Sequence, residues 1–407
     1  MQYLILAALL FPPWWNAPLP GRSGPVIESH PAEYVFGQEA VFSASLAAAE
    51  SPQSAQLILQ DGFDRTVAYP AEIDRAGDYR LSVRRDLSTG SFFPFASFDF
   101  WWEAVFPSGR TVRSDPSTFQ YADDRFAWSR LEKGRAAVAW TDGSSAEAED
   151  AAELILLALG TVSAELEAPI PERTALYLYP RLAELSSALG RDRQGWEGAV
   201  SDPASGTILI AAASGAGGRR PLAVLIPHEV THLLLGEKWT TAYPSLPLWL
   251  AEGLAAGYEM EGRPEADRAI DEAAGAGDLI PLRALCGVFP AEERAALLAY
   301  AESKSFVAFL KREYGLPALR QAIAAYAGGA DCGRGLDTAV GKTLDELETE
   351  WKKSLAAGSA GLSSAWILVA VGALLLAGVL GTRWWIRRKS VRFSRPRENA
   401  GWTAKNG

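Results

Sequence analysis

Histidine and cysteine are scarce in this sequence, with three and two copies in 407 residues. The spacing of Cys286 and Cys332 resembles no metal-binding pair, which leaves two readings: one disulfide loop, or two separate buried thiols. Positive charge is also short, at 39 Lys and Arg against 49 Asp and Glu, a net of -10. The last 25 residues carry eight Lys or Arg against Glu398, or +7, so the remainder bears -17. An acidic body of this kind excludes nucleic acid as the partner, because phosphate binding needs concentrated positive charge. No internal repeat is visible. With 48% hydrophobic and 22% charged residues, the chain is globular and long enough for two or three units.

One long stretch lacks charge altogether. The run Ala365 to Gly381 would span about 26 Å as a helix, near the thickness of a bilayer's hydrocarbon core. With Trp366 at one edge and RWWIRRK (383 to 389) at the other, it predicts a single transmembrane helix over 365–382 and a basic cytoplasmic tail over 383–407. At the other end, YLILAALLF (3 to 11) has signal-peptide length, giving an N-terminal hydrophobic segment over 1–20. No Lys or Arg precedes it, and Trp15 and Pro18 spoil a small-residue cleavage site, so retention and cleavage both stand. The expected localisation is the cell membrane, single-pass, with the body of the protein extracytoplasmic and the C-terminus cytoplasmic.

Between these ends the texture changes once. Over 24–121, alternating runs such as EAVFSASL, SAQLILQ and FDFWWEAVF are broken by turn residues, with PSG (107 to 109) as a hairpin turn. They predict an all-β sandwich of immunoglobulin or fibronectin type III character. The aromatics of SFDFWWEAV read as core residues by alternation, with a sugar-binding platform as the other reading. Over 123–355, strands AAVAW, TALYLYP and GTILIAA interleave with helices, the first opened by a capping box of Ser144 and Glu147. This second region predicts an α+β domain, followed by a small-residue linker over 356–364.

The chemistry concentrates in LIPHEVTHLLLGEKW (225 to 239), which holds two of the three histidines. On a helix, residues four apart share a face, so His228 and His232 can reach one ion, while Glu229 lies about 100° round, placed to serve as a base. Chance would produce His-Glu-x-x-His in on the order of one such chain in a thousand. Leu235 and Lys238 stand where the metzincin branch needs Gly and His, which excludes that branch. His30 belongs to the sandwich, so a downstream carboxylate must complete the site. Glu252, among the apolar residues of PLWLAEGLAAGYE (247 to 259), is the leading candidate; Glu259 is its rival and Glu237 sits too close to His232. Two imidazoles and one carboxylate leave a fourth position open, as in catalytic zinc sites. Pro227 disfavours helical geometry at Ile226, so the helix either starts near Pro227 or kinks there.

HEVTH followed by Glu252 in WLAEGLA resembles the gluzincin, or peptidase MA-like, metallopeptidases, and the resemblance extends over 123–355. It implies a zincin catalytic fold with zinc held by His228, His232 and Glu252. It also implies that Glu229 takes a proton from water and passes it to the leaving amine, with zinc as Lewis acid. Tyr300 is the candidate for an added donor to the oxyanion, with a plain core tyrosine as the other reading. GTILIAA either pairs with an extended substrate or is a covered central strand. Where thermolysin-like members carry an acidic residue four after the glutamate ligand this chain has Ala256, so support for a histidine must come from elsewhere.

The expected function is a membrane-anchored zinc metallopeptidase acting on polypeptides near the cell surface, its oligomeric state open. A catalytically idle adhesion or scaffold protein and a zinc hydrolase of non-peptide amides or esters are the alternatives.

Overall fold

The computed structural model describes residues 24–75, 78–190, 198–211 and 221–356. They fall into two compact units, one running to Pro244 and including Tyr258–Glu261, the other made of Ser245–Gly257 and the residues from Gly262 on.

The first unit opens with ten strands: β1 Val26–Ser29, β2 Glu33–Val35, β3 Glu39–Ala47, β4 Ser54–Gln60 and β5 Thr66–Pro70, then β6 Glu72–Asp74, β7 Tyr79–Asp86, β8 Ser97–Val105, β9 Thr111–Arg113 and β10 Ser117–Gln120. They form two antiparallel sheets, ordered β1-β3-β7-β6 with β2 on β3, and β10-β8-β4-β5 with β9 on β8. Period-two alternation explains them: Ala40, Phe42, Ala44 and Leu46 of β3 are all buried, and the residues between them face outward. The hairpin between β8 and β9 turns at Gly109, whose φ of 80° suits glycine. Trp101 and Trp102 are buried, the former under the Arg113 guanidinium, so the core reading of SFDFWWEAV holds.

A mixed sheet follows in the same unit. Its strands are β11 Ser129–Lys133, β12 Ala136–Trp140, β13 Thr174–Tyr179, β14 Ala199–Asp202 and β15 Thr207–Ala211, ordered β11-β12-β13-β15-β14. Pairing is parallel from β12 through β13 to β15 and antiparallel at both edges. GTILIAA is thus the covered strand β15, and β14, which the sequence reading missed, is the edge. Helix α1 (Ser145–Leu166) starts at the expected capping box, and α2 (Leu182–Ala188) follows β13. The sandwich and this sheet share one apolar cluster, in which Phe95 stacks on Tyr177. At its rim the buried Asp123 carboxylate pairs with Arg125 at 2.6 Å and accepts the Tyr179 hydroxyl proton at 2.9 Å.

The second unit is helical. It holds α4 (Leu248–Gly257), α5 (Pro264–Ala276), a short 3-10 turn at Leu282–Leu285, α6 (Glu293–Ala327), α7 (Asp337–Val340) and helical residues 344–356. α6 is broken at Gly315, which has φ 79° and precedes Pro317 by two residues. Trp249, Phe306 and Trp351 are fully buried and pack edge to face. α4 lies so close to α6 that a Cβ on Gly253 would sit 2.4 Å from the Ser303 carbonyl oxygen, which is why WLAEGLA needs its glycine. Cys286 and Cys332 form a disulfide, settling the two readings of these cysteines.

Glu302 of α6 is 0% exposed; its Oε1 accepts the Ile280 N–H at 2.9 Å and its Oε2 has no hydrogen-bond partner among the described residues. Burial pushes its pKa up to about 7. An unfolded glutamate titrates near pH 4.3, so the stability contributed by the neutral form is complete below that value and is lost as pH rises through about 7. Glu302→Gln should therefore overtake the wild type by on the order of 2 kcal/mol at pH 8 while differing little at pH 4. Urea midpoints at the two pH values check this, and an unchanging gap would refute it.

The expected membrane helix has to be corrected. No helix among the described residues is long and apolar enough to cross a membrane. The longer ones carry charge: Glu149, Asp150 and Glu153 in α1, and Lys304, Lys311 and Arg312 in α6. The fold is an N-terminal β-sandwich followed by an α+β zincin-like region, with no membrane-spanning helix among the described residues. The single-pass cell-membrane localisation that rested on such a helix is withdrawn. The segments expected to be a signal (1–20), a transmembrane helix (365–382) and a basic tail (383–407) lie outside the described residues.

Candidate metal centre

Helix α3 runs from Leu222 to Trp239, with Pro221 at its N-cap position. Pro227 therefore falls inside the helix, which begins five residues before it. Leu225, Ile226, Val230, Leu233 and Leu234 are all buried, so the helix is apolar nearly all round and its polar residues are buried with it. His228, Glu229 and His232 are each less than a tenth exposed. Such groups cost several kcal/mol unless each is hydrogen-bonded or bound to a metal.

Each has a partner. His228 Nδ1 lies 3.2 Å from Glu259 Oε1, and His232 Nδ1 lies 2.8 Å from the Tyr243 hydroxyl. A carboxylate can only accept, so His228 carries its proton on Nδ1; the Tyr243 oxygen can accept in the same way from His232. The two Nε2 atoms lie 3.2 Å apart. Two nitrogens at about 2.0–2.1 Å from one tetrahedral zinc stand about 3.3 Å apart, so the spacing fits a shared ion.

Among the described residues, His228, His232 and Glu252 form a group whose ligand atoms all lie within 4.8 Å of one another. Glu252 comes from α4, whose Leu248 N–H is held by the Cys286 carbonyl at 2.8 Å. Two imidazoles and a carboxylate are the donor set of a catalytic zinc site. Glu229 Oε2 accepts the Ser201 hydroxyl proton at 2.7 Å, from β14. That bond fixes the carboxylate next to the histidines without protonating it.

The sequence-predicted residues are thus found as follows. His228, Glu229 and His232 share α3, and Glu252 joins the two histidines in one group. Glu259, the rival ligand, instead buttresses His228 and supplies the support that Ala256 cannot. Tyr300 packs edge to face on Phe289, with ring centroids 5.0 Å apart. His30 is occupied elsewhere, its two ring nitrogens 3.2 and 3.0 Å from the Ser43 and Ser45 hydroxyls. Ser201 and Tyr243 were missed, since nothing in their local sequence marks them.

Comparison with known proteins adds the following. No match appears among curated proteins. Among solved structures, the chain is similar to the M1 zinc metallopeptidase of Deinococcus radiodurans, at 15% identity and a TM-score of 0.37, covering 82% of this chain and 92% of that one. A mutant of that enzyme bound to a Tyr-Ser-Ala substrate gives 13% identity and a TM-score of 0.38 with the same coverage. The sensor domain of an anti-sigma factor from Pseudobacteroides cellulosolvens matches at 15% identity and a TM-score of 0.20, over 25% of this chain and 97% of that one. The family model of the Peptidase MA superfamily matches residues 151–357, half of the chain, and so the chain belongs to that superfamily.

Proposed function

We propose that this protein is a zinc-dependent metallopeptidase, with His228, His232 and Glu252 as metal ligands and Glu229 as general base. The observation that carries the reading is the meeting of two imidazole Nε2 atoms and one carboxylate in a chain of this superfamily. Bound zinc would supply a Lewis acid for a carbonyl and for water. The residues do the rest. Glu259 and Tyr243 hold the imidazole tautomers, and Ser201 aims the Glu229 carboxylate, which accepts a proton from water and returns it to the leaving amine. Tyr300 remains the proposed donor to the oxyanion. The proposed class of substrate is an extended polypeptide added to β14, one of the two edges of the mixed sheet among the described residues.

The test is a broad peptide library with the full chain, purified with zinc, then stripped by chelator and reloaded. Cleavage should vanish on stripping and return with zinc. If the purified protein holds no zinc, or cleaves equally well without it, the proposal fails.

A further inference from the structure

An interior proline should weaken a helix, because it has no N–H to give to the carbonyl four residues earlier. In α3 that carbonyl belongs to Ala223, and it does not go without a donor. The Met260 backbone N–H donates to it at 3.0 Å. Met260 follows α4 in sequence, yet the segment Tyr258–Glu261 groups with the unit that contains α3. Its three leading residues each make a separate bond there. The Tyr258 hydroxyl donates to Glu165 of α1 at 2.9 Å, Glu259 receives His228 Nδ1–H, and Met260 N–H takes the Ala223 carbonyl.

From this we infer that Pro227 is a positioning residue for the metal centre. By withholding its own N–H it keeps the Ala223 carbonyl open as a docking point. Met260 fills that point, and the docking holds Glu259 against His228 so that Nε2 is presented to zinc. An ordinary residue at 227 would close the helix hydrogen bond and compete with Met260 for the same acceptor. The residue costs helix stability and gives a fixed second layer to the site in return. The inference rests on the zinc site proposed above.

Zinc affinity, measured by chelator competition, and the visible spectrum of the Co2+-loaded protein test it without recourse to activity. Pro227→Ala should weaken zinc binding about tenfold and shift the Co2+ bands, with helix content and melting temperature equal to or above wild type. Glu259→Ala should weaken binding by about 10- to 100-fold, and adding Pro227→Ala to it should cost nothing more, since both act through one contact. Met260→Pro removes the donor from the other side and should repeat the Pro227→Ala effect, which covers a failure of either variant to fold. Wild-type affinity in both Pro227→Ala and Met260→Pro, or losses that multiply in the double variant, would overturn the inference alone. Absence of zinc binding by the wild type would overturn the metal site itself, and the inference with it.

Discussion

Glu229→Gln should keep its zinc and lose its catalysis, with kcat/KM on any cleaved peptide falling by roughly 10²- to 10⁴-fold. The argument is local. Gln has the shape of Glu, and its carbonyl oxygen can still accept the Ser201 hydroxyl proton, so the 2.7 Å contact and the buried packing of α3 survive. The histidine Nδ1 atoms contact Glu259 and Tyr243, and neither contact involves residue 229. What disappears is the capacity to take a proton from water. Metal content and circular dichroism should match wild type while turnover collapses. If the variant cleaves at the wild-type rate, Glu229 is not the base; if it loses zinc as well, the separation of roles drawn here is wrong.

Removing the Cys286–Cys332 disulfide should produce the largest loss of stability. The bridge closes a loop of sequence separation 46, worth about 4 kcal/mol if its effect is to restrict the unfolded chain. For a region of this size that corresponds to a melting temperature lower by about 10 °C. A second effect follows from position. The Cys286 carbonyl holds the Leu248 N–H at the start of α4, four residues before Glu252. The double variant Cys286→Ser with Cys332→Ser should therefore melt earlier and also bind zinc more weakly. Calorimetry of the zinc-free protein separates the two, because there only the chain-entropy effect remains. A zinc-free melting temperature within about 2 °C of wild type would count against the first effect, and unchanged zinc affinity against the second.

What the sequence disclosed, and what it hid, divides by distance along the chain. The helix of HEVTH, the capping box at Ser144 and the alternation of β3 are properties of neighbouring residues, and each is legible from periodicity. Glu252 was legible because a carboxylate among Trp249, Leu250 and Leu254 calls for a partner. Glu259, 31 residues from its histidine, stands in the sequence only as the rival to Glu252, and its contact with His228 Nδ1 becomes visible only in the fold. Ser201 lies 28 residues from Glu229 in a strand of four residues, too short to show alternation. Pro227 suggests a helix start or a kink, whereas α3 begins at Leu222 and runs through it; the Met260 N–H that meets the Ala223 carbonyl is connected to it by no local pattern. The membrane helix rests on an uncharged run and its aromatic and basic flanks, and no helix among the described residues answers to it.

The apolar cluster shared by the sandwich and the mixed sheet ties these two regions into one cooperative body. Phe92, Phe95 and Tyr121 from one, and Tyr177, Tyr179 and Leu209 from the other, belong to the same buried set. Excising the sandwich would strip a hydrophobic wall from the sheet whose edge strand carries Ser201. The N-terminal region is thus a supporting wall of the mixed sheet, and the two share one buried apolar set.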